Sequence, residues 1–219
     1  MSMVDSKNLS DKLTAYCEKI GVDIVGFCDP AKFNIFEIAH TPESFLKDSK
    51  TVIVIAFYLF DLGLDAWSKD KENDRNFHFA DSILLGQCHQ IKSFLAKCGF
   101  KSKIIPYKPG LYLKDAAALA GIGPIGKNNL LITEKFGSQE RLRALATNAE
   151  LLYGKTISES RYCKNCSICV DSCPADALKE GNYNEVLCRK YCLENLKDLS
   201  DDTVLWCNIC IEMCPIGKR

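Results

Sequence analysis

Four cysteines, Cys163, Cys166, Cys169 and Cys173, stand in the run YCKNCSICVDSCPADAL, with Pro174 directly after the last. The spacing C-x2-C-x2-C-x3-C-P is that of bacterial-type ferredoxins. Three close thiolates wrap one [4Fe–4S] cubane, and the fourth points away to a second cluster. A second run, Cys207, Cys210 and Cys214 followed by Pro215, lies in WCNICIEMCPIG. The two runs together predict an exchange of ligands. Cys163, Cys166 and Cys169 take Cys214 as their fourth ligand, while Cys173 joins Cys207 and Cys210. The second set is then one thiolate short, and Cys188 or Cys192, which lie between the runs, supplies it.

Structural zinc also uses C-x2-C pairs, but in two pairs per metal. Three cysteines followed by one before a proline are the iron–sulfur pattern. Disulfides are not expected. The N-terminus MSMVDSKNLSDK is polar and has no apolar core of the kind a secretory signal carries. The expected compartment is the reducing cytoplasm, where clustered cysteines mean metal or catalysis. Cys17, Cys28, Cys88 and Cys98 are scattered among apolar residues and read as small core hydrophobes.

These cysteines need a scaffold. The 219 residues are 47% hydrophobic, enough for one sizeable domain and a small one. Lys plus Arg and Asp plus Glu both number 28, so bulk charge offers nothing to a polyanion. The longest apolar run, TVIVIAFYLF at 51–60, is too short to span a membrane and reads as a central strand. Residues 8–20 read as an amphipathic helix with Ser10 as N-cap and Gly21 as its stop. A strand is expected at 23–29, polar irregular chain at 61–75, and a long helix from about 77 to 98, carrying His78 and His89. A strand over KSKIIPY, an Ala-rich helix, and strands at 128–133 and 141–151 follow. The fold class expected is α+β: a mixed α/β sandwich over residues 1–155, then a two-cluster ferredoxin-like module over 156–219.

The stretch AGIGPIGKNN, with Gly121, Gly123, Gly126 and Lys127, matches G-x-G-x-x-G. It lies between a helix and a strand in the reverse of the dinucleotide-binding order. Asn128 stands where a P-loop needs Ser or Thr. Both nucleotide readings are rejected. A tightly packed turn and a cofactor-facing loop remain.

Taken together, AGIGPIGKNNLLI, then FGS, then the two cysteine runs with a lone Cys between them, resemble the epoxyqueuosine reductase family. Its members carry A-G-[LI]-G-W-[IT]-G-K-x-x-L-L-I, G-S-W and the same runs in the same order. They are cobalamin-dependent enzymes of queuosine-tRNA maturation, related to reductive dehalogenases. The resemblance extends to IGVDIVGFCD and SKTVIVIAFYL. It implies a nitroreductase-like sandwich of the corrinoid-binding type and two [4Fe–4S] clusters. The match of LCRKYCLEN to the family's lone Cys implies that Cys188 ligates and Cys192 stands by.

The departures shape the functional expectation. The family's catalytic Asp falls at Tyr107, and an Arg seven residues later falls at Lys114. Pro124 and Gln139 replace two tryptophans. Family members continue into a helical-repeat domain that helps hold tRNA. The expectation is therefore a cytoplasmic iron–sulfur reductase. A ferredoxin or flavodoxin would pass electrons through the clusters to cobalamin, or to a flavin in its place, for reduction of a small-molecule substrate. Gly121, Gly123, Gly126, Lys127, Gly137 and Ser138 would line the cofactor. Tyr107 would give a proton, since Lys108 or Lys114 would favour its phenolate. Epoxyqueuosine, tRNA and membrane are not expected as partners. The alternative is a non-catalytic electron-transfer protein serving a redox partner protein.

Overall fold

The computed structural model describes residues 3–70, 75–179 and 182–217. In chain order the elements are α1 (Met3–Lys19), β1 (Ile24–Cys28), β2 (Thr51–Tyr58), β3 (Trp67–Asp70), β4 (Arg75–His78), α2 (Phe79–Lys97), β5 (Ser102–Ile104), α3 (Leu113–Leu119), β6 (Glu140–Thr147), α4 (Ile168–Asp171), α5 (Glu185–Glu194), β7 (Lys197–Ser200), β8 (Thr203–Leu205) and α6 (Ile209–Glu212). Short 3-10 turns join β1 to β2 and β2 to β3.

The chain divides into two compact units. The first takes Met1–Phe57, Ile83–Gly123 and Arg141–Ser158, and the second takes Tyr58–Ser82, Pro124–Glu140 and Glu159–Arg219. The second is thus more than the C-terminal segment expected at 156–219. Strand pairing draws distant segments into it, which no boundary in composition announces.

The first unit is built on a sheet of order β1-β2-β6-β5. β1 and β2 run antiparallel with Gly26 opposite Val54, and β5 and β6 run antiparallel with Lys103 opposite Ala146. β2 is internal and buried from Thr51 to Ala56, as its β-branched run requires. Leu13 and Cys17, four apart on α1, and Leu84, Cys88, Ile91 and Leu95 on α2 close over it in one core with Ile53, Ile55 and Leu145. Helical spacing brings such side chains onto one face. Cys17, Cys28 and Cys88 are buried hydrophobes, whereas Cys98 is exposed. Ser10 is not the N-cap of α1, which begins at Met3. It lies within the helix, its hydroxyl donating to the Ser6 carbonyl at 2.7 Å and accepting from the Leu152 N–H at 2.8 Å.

The second unit has a sheet of order β4-β3-β8-β7. It pairs Trp67 with Val204 and Ser68 with Thr203. The region 61–75, expected to be irregular, holds a 3-10 turn at Leu62–Asp65 and the β3 strand. The strand expected at 128–133 does not form. That segment is a tight turn with Asn129 at φ 58°, closed by single bridges between Ile125 and Leu131 and between Thr133 and Gly137. A left-handed residue interrupts strand geometry. Two one-turn helices, α4 and α6, carry Cys169 and Cys210 within the two cysteine runs and repeat one hydrogen-bond pattern. Ser172 N–H reaches the Ile168 carbonyl and Met213 N–H reaches Ile209, and the two helices pack together.

Candidate iron–sulfur centres and active-site residues

In each run the C-x2-C spacing folds a loop into a single helical turn, which sets the next cysteine one turn on. Cys169 has Cys163, Cys166 and Cys214 as its thiol neighbours. Cys207 has Cys188 and Cys173, and Cys210 has Cys207, Cys188, Cys169 and Cys173. These are electrostatic neighbours only, and Cys210 has Cys169 of the other expected set among them. Burial pushes the Cys210 thiol up to about 12 and the Cys192 thiol up to about 11. Desolvation penalises a bare thiolate there; a bound metal must take the proton's place.

Among the described residues no three His, Cys, Asp or Glu side chains are arranged around one ion. A cubane asks for something else, four thiolates spread over its corners. The donor chemistry of these eight thiols is of the kind a cubane takes.

Cys192 lies closer to this chemistry than expected. It is 3% exposed and has Cys188 and Cys207 as its neighbouring thiols. Tyr183, half-exposed, donates to Cys188.

The glycine-rich turn is filled by this chain. A Cβ on Gly126 would come 2.2 Å from Ile132 Cδ1, and one on Gly121 would come 2.7 Å from the Lys155 carbonyl. On Gly137 it would meet the Ile216 carbonyl at 1.9 Å. These glycines permit close backbone approach. Gly123 and Ser138 are buried. Lys127 donates from Nζ to the Cys166 carbonyl at 2.8 Å, and Asn128 from Nδ2 to the Cys210 carbonyl at 3.4 Å. The turn thus ties both cysteine runs. Asn128, buried at this junction, had no signal in the sequence beyond being a poor P-loop match.

Tyr107 is half-exposed. Its hydroxyl donates to the Leu142 carbonyl at 3.3 Å, and the Arg143 guanidinium stacks 4.1 Å from its ring centroid. Arg143 is buried and also donates to the Ile105 carbonyl at 3.1 Å. It alternates with hydrophobic neighbours on β6, and nothing in that pattern marks it as the stacked cation. Lys114 is half-buried near the start of α3. His78 ends β4. Its Nδ1 accepts from the Asp81 N–H at 3.1 Å, so Nε2 carries the proton given to Asp65 Oδ1 at 2.9 Å. Both nitrogens are used within the chain. His89 is exposed on α2. An open cavity of about 360 Å³ in the first unit is lined by Asp29, Lys50, Glu150 and Tyr153 among others. It includes none of these residues.

The epoxyqueuosine reductase of Cyclobacterium marinum is 27% identical over 202 residues, covering 84% of this chain and 64% of its own length. The tetrachloroethene reductive dehalogenase of Dehalobacter restrictus is 35% identical over 101 residues, 45% of this chain and 18% of its own length. Epoxyqueuosine reductase from Bacillus subtilis, with its catalytic Asp loop swung out, superposes with a TM-score of 0.73 at 22% identity over 96% of this chain. The chain is epoxyqueuosine reductase-like and related to the reductive dehalogenases. No protein-family model matches it.

Two more structures bear on this epoxyqueuosine reductase-like chain. An epoxyqueuosine reductase with a tRNA stem loop matches with a TM-score of 0.72 at 22% identity, over 96% of this chain and 65% of its own. A reductive dehalogenase for which B12-dependent dehalogenation is described matches with a TM-score of 0.70 at 15% identity, over 100% of this chain and 33% of its own. What these structures share with it is the mixed α/β fold. The chain spans under two thirds of the Cyclobacterium relative.

The expectation that excluded epoxyqueuosine and tRNA is corrected by these findings. The relatives matched along most of the chain are epoxyqueuosine reductases, and one matching structure holds a tRNA stem loop. The exclusion rested on Tyr107 standing where the family has its catalytic Asp, on the helical-repeat domain that family members continue into, and on zero net charge. Net charge is a sum over the whole surface, whereas nucleic acid is bound by local patches. Among the described residues no helix is long and apolar enough to cross a membrane.

Proposed function

We propose that this chain is a two-cluster iron–sulfur oxidoreductase of the epoxyqueuosine reductase type, acting on epoxyqueuosine in tRNA. What carries the reading is the two spaced cysteine runs, from which two sets follow: Cys163, Cys166, Cys169 and Cys214, and Cys173, Cys188, Cys207 and Cys210. Each set would hold one [4Fe–4S] cluster. At a finer grain, the reading includes a nitroreductase-like sandwich and a ferredoxin-like two-cluster module, supported by the repeated turns at α4 and α6.

Reducing an epoxide to an alkene takes two electrons and two protons and releases water. Two clusters, each a one-electron carrier, suit that count. When bound, a corrinoid would supply the metal chemistry at the reacting carbon. Lys127 and Asn128 hold the cluster loops in place. Tyr107 is the group proposed to give a proton, from the position where the family has its acid. A hydroxyl that donates to a backbone carbonyl keeps its proton oriented, and Arg143 fixes the ring.

The test is anaerobic. The reconstituted protein, with reductant and cobalamin, is incubated with a tRNA stem loop bearing epoxyqueuosine, and the nucleosides are separated by mass spectrometry. Loss of one oxygen atom from the modified base supports the proposal. An unchanged base, with both clusters intact and reducible, overturns the substrate assignment.

A further inference from the structure

We propose that the side-chain amide of Asn208 donates a hydrogen bond to sulfur of the cluster held by the second set, and so raises that cluster's reduction potential. The inference deepens the reading above and rests on its assignment of Cys173, Cys188, Cys207 and Cys210. Asn208 stands between Cys207 and Cys210, at the start of α6. It is 7% exposed, and its Nδ2 is buried with no hydrogen-bond partner among the described residues. A buried amide left in this way carries its full desolvation cost, and native chains keep such groups rarely and for a reason.

The ordinary uses of an Asn at this position do not account for it. An Asn before a helix usually turns its side-chain oxygen to the first N–H groups. Asn208 makes no such bond. Its backbone carbonyl accepts from the Ile211 and Glu212 N–H groups instead, each at 2.9 Å. The neighbouring carbonyls already accept as well. Ile209 takes the Met213 N–H, Ile211 takes the Cys214 N–H, and Cys210 takes Asn128 Nδ2 at 3.4 Å. The acceptors that remain on this turn are sulfurs. The first run differs at the equivalent place. Ser167, between Cys166 and Cys169, is exposed, and its hydroxyl donates to Asp171 Oδ2 at 2.5 Å. The two turns repeat one backbone pattern, but at this position the second buries a spare donor and the first does not.

A cluster that takes an electron becomes more negative at its sulfurs. An N–H donor therefore stabilises the reduced form more than the oxidised one, and hydrogen bonds to sulfur help set cluster potentials. No bond to iron forms or breaks. Asn208 would bias the electron towards the second cluster.

The test reads potentials rather than turnover. Asn208→Leu keeps the branched shape and removes the donor. Asn208→Asp keeps the size and, when ionised, can only accept. Both variants, the parent and Ser167→Ala are reconstituted anaerobically to about eight irons. Each is titrated with dithionite and mediators and followed by low-temperature electron paramagnetic resonance. Cys173→Ala and Cys214→Ala assign the signals to the two sets. In Asn208→Leu the equilibrium constant for reducing the second cluster should fall about tenfold, a shift of about 59 mV for one electron. Asn208→Asp should fall at least as far. The first cluster should not move in either, and Ser167→Ala should move neither cluster. The proposal is overturned if either loaded Asn208 variant keeps the parent potentials, if both clusters shift alike, or if Ser167→Ala gives the same shift. It is equally overturned if neither Asn208 variant holds the second cluster, because Asn208 would then be structural. Parent protein holding fewer than two cubanes would instead overturn the reading on which the inference rests.

Discussion

Arg143 lays its guanidinium 4.1 Å from the centroid of the Tyr107 ring, while the Tyr107 hydroxyl donates to the carbonyl of Leu142, the residue before it on β6. One strand thus fixes both the face and the tip of the tyrosine. Tyr107→Phe removes only the hydroxyl. It should leave the fold within about 1 kcal/mol of the parent and both clusters in place, while turnover falls about 10²–10⁴-fold, the usual worth of a positioned proton donor. Lys114→Met should give a smaller loss. Single-turnover rates with the clusters pre-reduced are the measurement, and a fully active Tyr107→Phe sinks the role.

Arg143→Met should act on stability first. It leaves the Ile105 carbonyl without the charged donor and the Tyr107 ring without its cation. Loss of a hydrogen bond from a charged group costs about 1.5–3 kcal/mol. Denaturant unfolding of the loaded protein should show a lower midpoint with an unchanged slope.

The exchanged ligand sets separate by single substitutions. Cys214→Ala should remove the cluster held by the first run, even though Cys214 lies in the second. Cys173→Ala should do the reverse. Iron content should fall from about eight to about four in each, with opposite resonance signals surviving. The same signal surviving in both variants would show that each run closes on itself.

Gly137 and Gly86 should respond oppositely to alanine. Gly137 has φ 63° and its Cβ position is taken by the Ile216 carbonyl at 1.9 Å. Strained backbone of this kind costs about 1–3 kcal/mol, and Gly137→Ala should lower the thermal midpoint and cluster retention. Gly86 lies within α2 with nothing within 4 Å of its Cβ position. Gly86→Ala should stabilise by about 0.5–1 kcal/mol. Thermal unfolding of both variants beside the parent checks the contrast.

Alkaline pH should weaken the first unit. Burial pushes the Cys17 and Cys28 thiols up from 9.0 to about 12. Their folded values lie above the unfolded one, so their contribution is whole below pH 9 and is lost as pH rises towards 12. Each thiol can steepen the decline by up to about 1.4 kcal/mol per pH unit. Unfolding midpoints between pH 8 and 11 should fall less steeply for Cys17→Ala than for the parent. Equal slopes would show that Cys17 is not held neutral.

Local spacing carried much of this protein. The two cysteine runs set by themselves which thiols are expected to exchange partners, because C-x2-C-x2-C-x3-C places the fourth apart from its own three. The β-branched run at 51–58 determined an internal strand, and the apolar faces of α1 and α2 determined which residues meet it. The glycines of 121–137 announced close approach, but their spacing could not say to what, and the tertiary fold filled those positions with Lys155, Ile132 and Ile216.

Long-range pairing decided the rest. Trp67 faces Val204 across more than half the chain, so the second unit could not be drawn from composition. Asn129 took a left-handed turn where its neighbours favoured a strand. Arg143 came under Tyr107 because β5 and β6 pair in one particular register. Cys192 lies one helical turn from Cys188 on α5, and the β7–β8 hairpin separates it from Cys207. A sequence states the chemistry of each side chain and its local period; only the folded chain states which distant groups share a site.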